Sequence, residues 1–259
     1  AIVGSFAADH VIEDERRFQA AVREAIATAE AGYIVTMGIR PIEASTAFGY
    51  IESGEELSVP GAKRAKLAKR FVEKPNQETA TAYFEGDNHL WNAGIFVAKA
   101  SILLAELETN RPDIAEPIKR IAEAWDSKER GSVMAELWST IPKVAIDYSV
   151  AEPAAAAGLV AVVPATFSWH DVGDFAAIAE LQSQGRKGNL AVLGNAKVLA
   201  DSSSGILVSD TDRLIALIGL EDIIVVDTPD ALLVTTKEHA QRVKSLVDAL
   251  KATGHSDVL

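Results

Sequence analysis

The chain has 259 residues, 48% of them hydrophobic, enough to bury a substantial core in one large domain or two unequal ones. Twenty-five basic against 37 acidic side chains leave a net charge of -12, which repels nucleic acid and anionic membrane and restricts any bound nucleotide to local lysines, backbone amides and a metal. The absence of cysteine excludes disulfides, thiolate metal sites and a thiol nucleophile, as expected of a cytoplasmic protein. The longest uncharged stretch, Pro153 to Trp169, is broken by Gly158 and Pro164 and is too short to span a bilayer, and no basic leader precedes Ile2.

Residues 1 to 7 read as a buried strand ending at Asp9, and Asp14 caps a helix whose apolar stripe is Phe18, Val22, Ala25, Ile26 and Ala29, with Gly32 as its stop. A strand over Tyr33 to Ile39 follows, then one around Gly49, Tyr50 and Ile51, and one over Leu67 to Glu73 that Pro75 ends. Asn76 caps a short helix through Tyr83, and Trp91 to Ala98 is a nearly uncharged strand covered on both faces. Helices are expected at Ser101 to Glu108, Ile114 to Trp125, Val133 to Trp138 and from Asp147, before a strand over Leu159 to Val163 and a turn at Trp169 to Gly173. This alternation predicts an α/β sheet. Beyond Gln182 short apolar runs at 191 to 193, 205 to 208, 214 to 220, 223 to 226 and 231 to 234 are separated by Gly, Asp, Ser and Pro, which predicts short strands, and a last helix runs from Glu238 to Lys251.

Several segments carry a resemblance in a fixed order. They are Ala8-Asp9-His10-Val11, Gly38-Ile39-Arg40-Pro41, Thr46-Ala47-Phe48-Gly49-Tyr50-Ile51, Phe71-Val72-Glu73-Lys74-Pro75, Trp91-Asn92-Ala93-Gly94-Ile95-Phe96, Ile146-Asp147-Tyr148-Ser149 and Trp169-His170-Asp171-Val172-Gly173. Together they resemble the sugar nucleotidyltransferases, most closely the guanylyltransferases that act on mannose 1-phosphate. The resemblance implies a partial Rossmann-like nucleotidyltransferase sheet over 1–184, a small β domain of left-handed β-helix type over 185–236 and a terminal helix over 237–259. It also implies GTP and mannose 1-phosphate as small-molecule substrates, Mg²⁺ as the cofactor and a homodimer, with neither nucleic acid nor membrane as a partner. Two departures stand out: Ala47 replaces the family's usual Gly, and no GGxGTRLxP-type loop precedes Asp9. A chain opening on Ala1 in mid-strand reads as the interior of a longer polypeptide, so this chain alone is expected to bind sugar phosphate weakly and turn over poorly.

Joining a sugar 1-phosphate to the α-phosphorus of a nucleoside triphosphate brings two polyanions together, so catalysis is mostly positioning and charge neutralisation. Mg²⁺ favours one or two carboxylates plus substrate phosphates, and the resemblance assigns Asp9 and Asp171 as its ligands; an isolated Asp after a strand otherwise caps a helix or makes a turn. Lys74 would hold the incoming sugar phosphate, and with Asp9 forms the catalytic pair; its alternative is a solvated surface lysine. Glu73 would accept sugar hydroxyls, or else makes a surface salt bridge, and Asn92 would read another hydroxyl, with Gly94 letting the backbone approach the ring. Gly49, with Tyr50 beside it, either exposes an amide to the sugar or is a turn residue, and Asp147 either joins the sugar site or caps its helix.

Other readings are open. Asp210-Thr211-Asp212 matches the DxD of metal-dependent glycosyltransferases but sits between short strands, where turn chemistry explains it. Gly185-Arg186-Lys187-Gly188 could cradle phosphate, although a flexible linker is the simpler account. None of the five histidines shows helical metal spacing, which argues against zinc, and His170 is not expected to be catalytic. The functional alternatives are a non-catalytic sugar-phosphate-binding or assembly subunit, and a uridylyl- or thymidylyltransferase acting on glucose 1-phosphate.

Overall fold

The computed structural model describes residues 1–183 and 189–254, so the Gly185 to Gly188 stretch and the 184/185 boundary lie outside the described residues. Two compact units form, one from Ala1–Ala8 with Ile12–Trp169, the other from Asp9–Val11 with the chain from His170 onward.

In chain order the elements up to residue 171 are β1 (Ile2–Ser5), β2 (His10–Ile12), α1 (Glu15–Glu30), β3 (Ile34–Ile39), β4 (Tyr50–Glu56), β5 (Lys66–Val72), α2 (Gln77–Glu85), β6 (His89–Lys99), α3 (Ala100–Asn110), α4 (Pro112–Ala124), α5 (Arg130–Leu137), a π-helical turn (Asp147–Ala151), α6 (Glu152–Ala156), β7 (Val160–Pro164) and β8 (Trp169–Asp171). Six strands make one sheet in the order β1-β6-β3-β7-β5-β4, while β2 and β8 form a separate ribbon. Only β3 and β7 run parallel within the six-stranded sheet.

The period-two rule of a strand buried on both faces is visible in β3. Ile34 packs with Phe96, Val160 and Val162 on one side, while Val35 and Met37 pack with Ile95, Val97 and Val163 on the other. Helix α1 covers that second face. Asp14 caps it through the Arg17 N–H at 3.0 Å, and Ala21, Ala25, Thr28 and Ala29 are its buried residues. The small side chains bring the helix close to the sheet, so Ile26, expected on the apolar stripe, is 37% exposed. The first strand also departs from expectation. As an edge strand paired only with β6, β1 leaves Val3 and the following Phe6 exposed rather than buried.

One irregularity shapes the site. The β3–β6 register shifts between Thr36, opposite Phe96, and Gly38, opposite Asn92. The strand β6 therefore bulges at Ala93, Gly94 and Ile95, where Gly94 adopts φ +66 with open space where a side chain would stand. Glycine is required there for the backbone rather than for packing.

The second unit continues with α7 (Phe175–Ser183), β9 (Leu190–Gly194), β10 (Lys197–Asp201), β11 (Gly205–Ser209), β12 (Leu214–Ile218), β13 (Ile223–Asp227) and β14 (Leu232–Thr236). Strands β9, β11 and β13 pair in parallel, as do β10 and β12, so the chain alternates between two narrow sheets in a β-helix-like coil, closed by the antiparallel β14. Ile206 and Ile224 face Ala176, Ile178 and Ala179 of α7. The terminal helix begins as a 3-10 segment over Lys237–Arg242 and becomes α8 (Val243–Thr253), which Gly254 ends at φ +82.

Asp210-Thr211-Asp212 lies between β11 and β12 and serves the coil. The Thr211 and Ser209 hydroxyls both donate to the buried Asp227 carboxylate, which Arg213 approaches at 3.4 Å, and Asp212 pairs with Lys197 at 3.5 Å. The Thr211 and Ser209 hydrogen bonds hold the Asp227 carboxyl below its ordinary range.

Candidate active site

Six of the expected residues, Gly49, Glu73, Lys74, Asn92, Gly94 and Asp147, converge in the first unit, placed at the start of β4, the end of β5, on β6 and on the π-helical turn. Strand β5 ends at Val72, and the chain turns sharply because Lys74 takes φ +45, a left-handed conformation unusual for lysine and more so before a proline. Glu152 of α6 accepts the Glu73 N–H at 3.2 Å, anchoring this corner. The Glu73 side chain is only 9% exposed, while that of Lys74 is 60% exposed with its ammonium 2.6 Å from Glu73 Oε1.

Gly49 makes room for the other carboxylate oxygen. A β-carbon at residue 49 would overlap Glu73 Oε2, and the Gly49 carbonyl accepts the Asn92 N–H at 2.8 Å. Asn92 is buried, and its amide donates to Asp147 Oδ1 at 3.0 Å while its carbonyl oxygen accepts from the Thr36 hydroxyl at 2.7 Å and from the Gly94 N–H at 3.2 Å. The N-cap of the π-helical turn is Ile146, so Asp147 engages Asn92 instead of capping. Tyr50 stands apart. It is 1% exposed, lies against Tyr83 and donates its hydroxyl to the Ser45 carbonyl at 2.9 Å, so its place is in the core.

Electrostatics follow from this burial. Desolvation pushes the Glu73 carboxyl above its ordinary value, reinforced by the nearby Asp147 and Glu152 and opposed by Lys74. The Glu73 hydrogen bond raises Lys74 despite its partial burial, keeping the ammonium charged. This corner therefore offers an exposed cation for a phosphate and several carboxylates for hydroxyls.

Asp9 and Asp171 meet in the second unit. One carboxylate oxygen from each, with a ring nitrogen of His10, lie within 4.8 Å of one another, and His10 Nε2 is 4.0 Å from Asp171 Oδ1. Such a donor set suits a divalent cation. The structure brings together the two carboxylates nominated by the sequence; His10 adds a third donor, which histidine spacing along a helix cannot report because the cluster forms where β2 and β8 pair. The position of His10 next to Asp9 was the only local signal.

Residues 2–188 match the nucleotidyl transferase family. The chain belongs to that family. Residues 195–250 match the MannoseP isomerase/GMP-like β-helix domain, a span that takes in β10 to β14. Among the relatives of this chain, the xanthan biosynthesis protein XanB of Xanthomonas campestris pv. campestris is 38% identical over 253 residues, 96% of this chain and 51% of that protein. The mannose-1-phosphate guanylyltransferase of Escherichia coli K12 is 36% identical over 252 residues, 97% of this chain and 52% of that protein. The chain thus spans about half the length of the curated relatives it matches. A solved structure described as mannose-1-phosphate geranyltransferase from Thermus thermophilus superposes with a TM-score of 0.78 at 28% identity, covering 96% of this chain and 70% of that one.

Proposed function

We propose that the chain serves a mannose-1-phosphate guanylyltransferase, in which a phosphate oxygen of mannose 1-phosphate attacks the α-phosphorus of GTP, giving GDP-mannose as the bond to pyrophosphate breaks. The observation that carries this reading is the corner at Glu73 and Lys74. It sets a charged ammonium, 60% exposed, beside a largely buried carboxylate that a second carboxylate, Asp147, faces. Lys74 would take the sugar phosphate and reduce its repulsion from the nucleotide, while Glu73 and Asp147 would accept sugar hydroxyls. The names of the guanylyltransferase relatives support the choice of mannose and GTP.

Asp9 and Asp171, with His10, would hold the divalent ion, taken as Mg²⁺, which when bound would neutralise charge on the nucleotide phosphates. A cytoplasmic homodimer completes the reading. Exposed apolar residues on β10 and β12, namely Leu199, Leu214 and Ile218, support a second copy, and among the described residues no helix is long and apolar enough to cross a membrane.

The test is pyrophosphate release by the full-length polypeptide that carries these residues, with mannose 1-phosphate and GTP compared with glucose 1-phosphate, UTP and dTTP. Release that prefers mannose 1-phosphate and GTP, and is lost in Lys74→Ala, is expected. A preference for glucose 1-phosphate or for UTP, or sugar-phosphate binding without any release, would reject the reading.

A further inference from the structure

Asn92 has little left to offer a ligand. A backbone N–H can only donate and a carboxylate can only accept, so the atom shared with Gly94 must be Oδ1 and the atom facing Asp147 must be Nδ2. The hydroxyl of Thr36, which is 0% exposed, donates to the same Oδ1 at 2.7 Å. Both lone pairs of the Asn92 carbonyl are therefore engaged, and one of its two amide hydrogens is committed. The backbone bulge opposite Met37 is what lets the N–H of Gly94 turn back onto this side chain.

We propose that Thr36 and Asn92 are positioning residues that aim Asp147, and that the Asp147 carboxylate, rather than the Asn92 amide, accepts hydroxyls of the sugar phosphate. This rests on the sugar-phosphate reading of the site. Aiming is needed because Asp147 and Glu73 repel one another, a repulsion that contributes to the raised Glu73 carboxyl. Left unanchored, a carboxylate at the start of the π-helical turn would swing towards solvent. Hydrogen-bonded to a buried amide whose own orientation is fixed from two sides, it stays beside Glu73 with lone pairs to spare. A carboxylate can accept from two adjacent hydroxyls at once, so the ligand class is a hexose phosphate bearing a vicinal diol.

Calorimetric titration separates this arrangement from a merely structural one. Mannose 1-phosphate and inorganic phosphate are titrated into the unaltered chain and into Thr36→Val, Thr36→Ser and Asp147→Asn. Thr36→Val keeps the shape but removes the hydroxyl, so mannose 1-phosphate binding should weaken about tenfold while inorganic phosphate, held by Lys74, binds unchanged. Thr36→Ser should restore affinity to within about twofold, and Asp147→Asn should lose at least as much as Thr36→Val. Equal affinity of Thr36→Val and the unaltered chain for the sugar phosphate, equal loss for both ligands, or full affinity in Asp147→Asn would each overturn the proposal. Failure of the unaltered chain to bind mannose 1-phosphate at all would instead overturn the parent reading, and this inference with it.

Discussion

Gly49 and Glu73 divide a single space between them: a β-carbon at residue 49 would occupy the position of the Glu73 Oε2 atom. The buried carboxylate is admitted only because residue 49 has no side chain. Gly49→Ala should push the Glu73 carboxylate out of place at a cost of less than about 1 kcal/mol in stability, because the atom met is the far end of a flexible side chain. Mannose 1-phosphate binding should fall about tenfold or more in calorimetry, while the Gly94→Ala variant, whose side chain would meet open space, should be limited to the backbone cost of φ +66.

The raised Glu73 carboxyl gives binding and stability opposite pH dependences. Its ordinary value is 4.5, and burial moves it upward, with Asp147 and Glu152 adding to the shift and Lys74 opposing it. Hydroxyl acceptance needs the ionised form, so sugar-phosphate affinity should drop as pH falls through that raised value, earlier than for an ordinary Glu. A group whose folded-state pKa is raised stabilises the fold fully below its unfolded value and loses that contribution as pH rises through its folded value. Glu73→Gln should flatten both curves. Calorimetry and thermal unfolding across pH 4 to 8, roughly the span over which carboxyl and imidazole groups titrate, would check it.

Substitutions in the proposed ion site should separate binding from folding. Asp9→Asn and Asp171→Asn should each weaken Mn²⁺ binding, read by electron paramagnetic resonance, at least about tenfold, with His10→Gln showing a smaller loss. Saturating cation, near a hundred times its dissociation constant, should stabilise the unaltered protein by roughly 2.7 kcal/mol, and a chelator should reverse this. A variant of Asp9 that binds Mn²⁺ like the unaltered protein would remove Asp9 from the site.

In the coil of the second unit Gly205 stands at φ +127 with its α-carbon against the Ile223 backbone, where any side chain would collide. Gly205→Ala should destabilise this unit by about 2 kcal/mol or more, because backbone cannot move aside as a flexible side chain can. Thermal unfolding of this variant should show an early transition, and intact cooperativity at the original midpoint would contradict it.

The strands of the first unit were legible because burial on both faces leaves nearly unbroken apolar runs, as in Tyr33 to Ile39, and helix starts were legible where Asp14 and Asn76 sit ahead of a helical stretch. Edge and half-exposed strands were not. Nothing in the sequence distinguishes β1 from a buried strand, and β10 leaves a weak pattern because Val198 packs inward while its neighbour Leu199 points outward, so no apolar run or alternation marks a strand. In the site, Glu73, Lys74, Asn92, Gly94 and Asp147 could be nominated from their segments. Thr36 could not, since a threonine in a buried strand is usual and its contact with Asn92 depends on a bulge opposite the next residue, Met37. The same holds for His10, whose neighbours are assembled by tertiary pairing.

The crossing of the polypeptide between the two units limits how this protein can be recombined. Residues Asp9–Val11 belong with the chain after His170, although the segment from Ile12 to Trp169 separates them in sequence. No single cut can part the units cleanly. Severing at residue 169 strands Asp9 without Asp171, and a chimera spliced at that point would inherit the two carboxylates of this cluster from different parents. Grafting this β-helix-like module onto another sheet therefore demands transplanting a short amino-terminal loop as well.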